Sequence, residues 1–273
     1  KQEKVRVKLE STPGSDYLSK LLTLAASGTL GDTYYTPIFG VMFPFAAAGL
    51  QLPLNDLVAR DGIDLDEFFP GPIQVLTWDG KLQGIPWDAH CGFSTLYVNV
   101  DEFEEAGAPL PVWEWTYEKD FLDALLKVQD SLSKDSAQKR FAFRFEYMAQ
   151  GALTFIRSWG GDWIDPETRT QSTVKSEETT AALAFMRDLV HTHKVSPKRE
   201  ELVDSMFENA LVSSYMQGNW FIGTYATTIG DRFRWKALAA PAGPGGRGTF
   251  IGADCNPINK NSKNVDATWE FVK

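Results

Sequence analysis

Only two cysteines occur in the 273 residues, Cys91 and Cys255. That is too few for a disulfide scaffold, and their spacing suits no metal site. Histidine is almost as scarce. His191 and His193 stand two apart at the expected end of a helix, where their rings diverge, so solvated helix-end residues are the better reading than a metal pair. No apolar run reaches the roughly 18 to 20 residues that span a bilayer. The longest, Phe39 to Leu50, is broken by Gly40 and Pro44. Positive charge is outnumbered, 27 Lys and Arg against 36 Asp and Glu, giving a net charge of −9 and a pI near 4.9. Without a basic cluster the chain lacks the phosphate-neutralising surface that supplies nucleic-acid affinity. The same deficit argues against an anionic membrane surface.

Missing motifs narrow the chemistry. Gly243-Pro244-Gly245-Gly246-Arg247-Gly248 has the glycines of a phosphate cradle but not the Lys-Ser/Thr that completes a P-loop. There is no G-x-S-x-G nucleophile elbow. Carboxylates are plentiful, so a two-carboxylate glycosidase stays open; it needs an acid and a base facing each other at a cleft. No cofactor and no metal is implied.

What the chain does have is an ordinary globular composition, 43% hydrophobic and 23% charged. The length fits one large domain or two of typical size. Lys4 to Leu9 alternates like a strand. Asp16 to Ala26 carries apolar residues at helical spacing, with Gly28 where a helix stop belongs, and Thr33 to Thr36 reads as the next strand. A strand–helix–strand start predicts an α/β lobe with helices on a mainly parallel sheet. Phe121 to Leu132 and Thr179 to Val190 read as further amphipathic helices, and Phe141 to Tyr147 as a strand.

Residues 204–226, DSMFENALVSSYMQGNWFIGTYA, are the most informative stretch. A helical run ending near Asn209 gives way to a strand over Leu211 to Gln217, then a Gly218-Asn219 turn. Trp220 follows where the next helix is expected to start. Gly and Asn tolerate turn conformations that other residues resist. An indole there offers a flat apolar face and one N–H, which suits a sugar ring. Taken alone, Trp220 is more simply a core anchor.

The stretch resembles the F-x-x-G-x-x-A-M-x-x-x-G-x-W region of family 1 extracellular solute-binding proteins, the capture subunits of ABC importers. Ala26-Ser27-Gly28-Thr29-Leu30-Gly31-Asp32 is similar to that family's A-S-G-x-x-P-D segment. Lys81-Leu82-Gln83-Gly84-Ile85-Pro86 with Leu96-Tyr97-Val98-Asn99 resembles its G-K-x-Y-G-x-P and L-x-Y-N pair. Trp159-Gly160-Gly161 matches its G-G turn. Pro241 to Gly246, Gly252 and Ser262-Lys263-Asn264 match its P-x-G-P-x-G, G-G and S-K-N run. Order and spacing over about the whole chain carry the resemblance. The departures are Asn209-Ala210 for Gly-Lys, Gly31 for Pro, and Ile251 before Gly252.

The resemblance implies a two-lobed, type II periplasmic-binding-protein fold, α/β, with hinge crossovers near Thr95 to Asn99 and Gly252 to Pro257. The lobes would be residues 1–96 with 257–273, and 97–256. It implies capture of a sugar between lobes that close on it, delivery to ABC permease subunits, no enzymatic activity and a monomer. The location would be periplasmic or a membrane-anchored extracellular lipoprotein. The chain shows no signal peptide, opens on a charged segment and stops inside a helical pattern, so both ends look cut. A carbohydrate-active hydrolase and a sensory sugar-binding protein remain alternatives.

Sheets of this type bind ligands beyond the carboxyl ends of their strands, which places Tyr35, Thr36 and Phe39 at the mouth of the first lobe. Trp87, Asp88 and His90 enter the first crossover, where Asp88 could accept paired hydroxyl hydrogen bonds. Gly252 and Asp254 lie in the second crossover. In the second lobe Glu146, Tyr147 and Gln150 correspond in position to the family's ligand-contacting loop, and Trp159 and Trp220 complete the expected set. Of Trp159 and Trp163, which flank the Gly-Gly turn, one is expected in the core. Side-by-side crossovers could also bring Cys91 and Cys255 within about 7 Å, the bonding range of Cα atoms; two separate thiols are the simpler expectation.

Overall fold

A computed structural model describes residues 5–12, 16–36, 42–134 and 138–273. The chain divides into two compact units, Lys1–His90 with Ile251–Lys273 and Cys91–Phe250. The divisions fall at 90/91 and 250/251, a few residues ahead of the 96/97 and 256/257 positions expected from sequence.

The first unit opens with α1 (Tyr17–Ser27), and Gly28 ends it in the left-handed conformation (φ 69°) that a residue with a side chain resists. Its N–H bonds back to the Ala25 carbonyl and the Thr29 N–H to that of Leu24, satisfying two terminal carbonyls. Short helices α2 (Met42–Ala47), α3 (Asn55–Asp61) and α4 (Pro70–Val75) follow, then the hairpin of β1 (Thr77–Trp78) and β2 (Lys81–Leu82), and β3 (Pro86–His90). Val5 to Leu9, expected as a strand, is not one. Alternation marks which side chains a strand would bury, but a strand also needs a neighbour for its backbone groups. This segment has none among the described residues, and Leu9 is 86% exposed.

The second unit runs through β4 (Thr95–Asn99), α5 (Val100–Glu105), a π-helical turn at Tyr117–Phe121, α6 (Leu122–Leu132), α7 (Ala149–Ser158) and α8 (Glu177–His191). It ends with β5 (Ser214–Gln217), α9 (Phe221–Thr228) and β6 (Trp235–Ala239). Helix α8 shows why its sequence forms a helix: Ser176 accepts the Thr179 N–H at 3.2 Å, and Glu177 and Glu178 sit at the positive end of the dipole. Ala182, Met186, Leu189 and Val190 form its buried stripe. The chain then re-enters the first unit with β7 (Gly252–Cys255) and α10 (Val265–Val272).

Strand β4 is the centre of a three-stranded sheet, β5-β4-β6, antiparallel to both neighbours. In the first unit β3 pairs antiparallel with β7, bringing together segments more than 150 residues apart in sequence. The mainly parallel sheets expected from the sequence are thus replaced, among named strands, by antiparallel ladders. Parallel pairing survives as single bridges, Thr116–Ala242 and the in-register pair Phe141–Val212 and Arg144–Tyr215. That pair does not join into a ladder because Phe143, between Phe141 and Arg144, gives its N–H to Val195 instead. The run Asp204 to Asn209 is turns, not helix, with Ser205 and Ala210 both at positive φ.

The cores follow the units. Met42, Leu54, Leu76, Leu82, Ala253, Cys255 and Trp269 pack together in the first. Trp269 is fully buried, and its indole N–H reaches Asp61 at 2.7 Å, the partner that burial of an indole requires. In the second unit Tyr117, Phe121, Phe143, Phe155 and Trp159 form one aromatic core, and Tyr97, Phe207 and Tyr225 form another.

Candidate functional site

On the first unit, the β3–β7 ladder sets Asp88 opposite Asp254 and His90 opposite Gly252. Paired residues of antiparallel strands share a face, so both carboxylates lie on one surface. Tyr35 lies against that surface and donates its hydroxyl to Asp254 Oδ2 at 2.8 Å. Burial raises the Tyr35 pKa, and the bond to Asp254 and the charges of Asp254 and Asp88 push it the same way. The phenol therefore stays a donor at every physiological pH. Trp87 is 60% exposed, and its ring centroid is 6.0 Å from that of Tyr35. It also borders a hollow of about 240 Å³ lined by Phe68, Phe69 and Asp88. The His90 ring lies where a side chain on residue 252 would stand, 2.1 Å from an ideal Cβ, so a larger residue there would displace the ring.

One first-unit expectation changes. Thr36 is fully buried, and its hydroxyl donates to the Cys255 carbonyl at 3.2 Å. It therefore braces the two segments instead of facing a ligand. Phe39 lies outside the described residues.

On the second unit, Glu146 ends the extended stretch before α7. Its Oε1 accepts hydrogen bonds from the Tyr215 hydroxyl and from Gln217 Nε2, the latter at 2.8 Å, and Arg144 stands 3.8 Å away. Burial nevertheless raises the Glu146 pKa, with Arg144 and Gln217 opposing the shift. Tyr147 stacks on Phe145 at 4.7 Å between centroids and donates its hydroxyl to the Pro197 carbonyl. It borders a mostly apolar groove of about 600 Å³ lined with Met148, Trp163, Leu183 and Met186. Gln150, half-buried, lies in the first turn of α7.

Trp220 stands at the N-cap of α9 and is 42% exposed. Its ring folds back over Gly218, 2.1 Å from where a Cβ would lie, and meets Phe93 edge-on at 5.6 Å. Any other residue at 218 would drive the indole away. Trp159, expected as a ligand residue, is instead core. It is 7% exposed and packs on Tyr117 and Phe185 at 5.7 and 5.0 Å, because α7 turns that face inward. Trp163 is half-buried and donates to the Ala149 carbonyl at 3.3 Å.

The glycine-rich loop is packed against protein. A Cβ on Gly243, Gly245 or Gly248 would strike the backbone of Ser158, Gly160 or Ser158 within 2.4 Å, so these glycines serve close approach to the end of α7. Cys91 and Cys255 are both free; Cys91 is exposed, and Cys255 is buried against Gly84 with Thr36 Oγ1 3.3 Å away. The disulfide considered from the sequence is absent. Among the described residues no group of three His, Cys, Asp or Glu is arranged to hold a metal ion, and no helix is long and apolar enough to cross a membrane.

Sequence reasoning missed Tyr215, Gln217 and Phe93. A signal for the first two was present, since Tyr215 and Gln217 stand two apart in a strand and so share a face.

Residues 1–273 match the family model described as bacterial extracellular solute-binding protein. A binding protein of Brucella abortus is 25% identical over 98% of this chain and 64% of its own length. The arabinooligosaccharide-binding protein of Bacillus subtilis is 22% identical over 82% of this chain and 51% of its own. The chain thus spans between about half and two thirds of the relatives it matches. In backbone it is similar to an ABC substrate-binding protein from Listeria monocytogenes in complex with cycloalternan, with a TM-score of 0.86 and 20% identity over 98% of this chain and 66% of that one. A maltose-bound protein of T. maritima gives 0.73 at 23% identity, covering 94% and 65%. These solved structures are periplasmic-binding-protein folds of type II, and this chain shares that α/β fold.

Proposed function

Since this chain belongs to the bacterial extracellular solute-binding protein family, we propose that it captures a neutral sugar or oligosaccharide for delivery to the permease subunits of an ABC importer. The observation that carries this reading is the pairing of exposed aromatic faces with carboxylates, of which Asp254 and Glu146 each accept a tyrosine hydroxyl. On the first unit these are Trp87 and Tyr35 with Asp88 and Asp254; on the second, Trp220 with Glu146. Aromatic faces cover the apolar side of a sugar ring, and carboxylates accept its hydroxyl hydrogens. His90, Gly252, Tyr147 and Gln150 complete the contact set we propose. Relatives named for arabinooligosaccharide and lactose binding support the sugar class.

In this reading the protein binds without turnover, works as a monomer outside the cytoplasm, free or lipid-anchored, and has no nucleic-acid partner. Calorimetric titration with maltose, lactose, arabinotriose and their monosaccharides tests it. Saturable binding of at least one, with no release of nitrophenol from a chromogenic glycoside, is expected. Heat from none of them, or steady glycoside turnover, overturns it.

A further inference from the structure

Gln217 stands at the end of β5, buried to 4% exposure, and both ends of its amide are committed. Nε2 donates to Glu146 Oε1 at 2.8 Å and to the Tyr215 hydroxyl at 2.9 Å. Oε1 accepts the Gly218 N–H at 2.8 Å. Gly218 is the residue on which the Trp220 ring lies, and its carbonyl is fixed in turn by the Tyr97 hydroxyl at 2.8 Å. One side-chain amide therefore joins the Glu146 carboxylate to the turn that seats Trp220.

Only an amide does this. The carboxylate needs a donor and the Gly218 N–H needs an acceptor, and among side chains of this length glutamine alone presents both at neutral pH. The bonds described for Glu146 converge on Oε1, which leaves Oε2 for a ligand. We infer that Gln217 is a positioning residue that holds Glu146 and Trp220 in register with each other, so that a sugar meets carboxylate and indole at a fixed spacing. The inference rests on the reading above that both groups face the ligand.

The test replaces Gln217 by its isostere, Gln217→Glu, and by Gln217→Leu. The charged and titratable groups around the site are Arg144, Glu146, Tyr97, Tyr215, Tyr225 and, further out, Glu208. A second carboxylate within hydrogen-bonding distance of Glu146 cannot ionise alongside it without repulsion. At low pH one of the two is protonated and donates as the amide did. As pH rises past the raised pKa of the pair, that bond is lost. The Gln217→Glu variant should therefore bind lactose or arabinotriose within a few-fold of wild type at low pH. It should lose roughly ten- to hundredfold as pH rises, the scale of a charged hydrogen bond. Gln217→Leu should be weak at every pH.

A second readout needs no sugar. The emission of Trp220, taken as the difference between each protein and its Trp220→Phe counterpart, should show a pH transition in Gln217→Glu that lies at higher pH than any Glu146 alone gives wild type. If neither sugar binds wild type while this transition is present, the sugar reading falls and the coupling stands. Absence of the transition, or wild-type affinity in Gln217→Leu, overturns the inference.

Discussion

Replacing Trp220 with alanine separates a ligand platform from a structural ring, because the indole is divided between the two environments. Of the ~250 Å² that a tryptophan can present, 42% is exposed, or about 100 Å² by the same scale. A sugar ring covering half to all of that surface removes ~50 to 100 Å² from water. At ~25 cal/mol per Å² this is worth about 1.3 to 2.5 kcal/mol, or roughly ten- to seventyfold in Kd. The remainder of the ring rests on Gly218 and the edge of Phe93, so its loss also costs stability. That cost should be well below the ~3 to 5 kcal/mol expected for a fully packed aromatic. Trp159→Ala supplies the comparison, since that ring is 7% exposed within an aromatic core. Titration calorimetry with the bound sugar and urea unfolding of both variants make the measurement. Trp220→Ala should lose affinity and keep most of its stability, and Trp159→Ala should lose stability first. A Trp220→Ala protein with wild-type Kd and the stability loss of Trp159→Ala would show that the exposed face of the indole does no binding.

Other outcomes follow from the same geometry. Asp88→Asn should weaken sugar binding by about 1.5 to 3 kcal/mol, the value of a charge-assisted hydrogen bond, while leaving the urea midpoint nearly unchanged; equal affinity across the sugar panel would reduce Asp88 to a loop acid. Burial pushes the Cys255 thiol up to about 12, so a thiol reagent near neutral pH should modify one cysteine in the native protein and two after denaturation. Modification of two in the native state would contradict its burial. Glu146 has its pKa raised by burial, so the native state holds a proton that the unfolded chain releases. Its contribution therefore favours folding below the ordinary glutamate value and declines as pH rises through the raised one. Glu146→Gln should flatten that part of the stability profile, and an unchanged slope would mean that the carboxylate is already ionised throughout.

Local signals in the sequence reported local structure well. Gly28 ends α1, the spacing of Ala182, Met186 and Leu189 marks the buried stripe of α8, and the Gly218-Asn219 turn delivers Trp220 to the start of α9. Each depends on residues a few positions apart. The misreadings depend on partners far away. Val5 to Leu9 alternates but has no neighbour, and Thr36 looks like a loop hydroxyl until Cys255, 219 residues later, closes over it. Trp159 and Trp220 both stand within two residues of a glycine, and nothing local reveals that Tyr117 and Phe185 cover only the first. The Glu146 network was hidden for the same reason, since its members are 69 and 71 residues apart.

The pairing of β4 also has a cost during synthesis. Leu96, Tyr97 and Val98 are all fully buried in the native unit, and Val98 pairs with Ser214 and then with Lys236. More than a hundred residues must be made after β4 before its first partner exists. At roughly 5 to 20 residues per second, that wait lasts on the order of 6 to 25 seconds. Throughout it, an apolar strand of high β-propensity has both edges unpaired, the state from which chains stick to one another. Thr95 to Asn99 is thus the segment of this unit that a holding chaperone has most reason to cover.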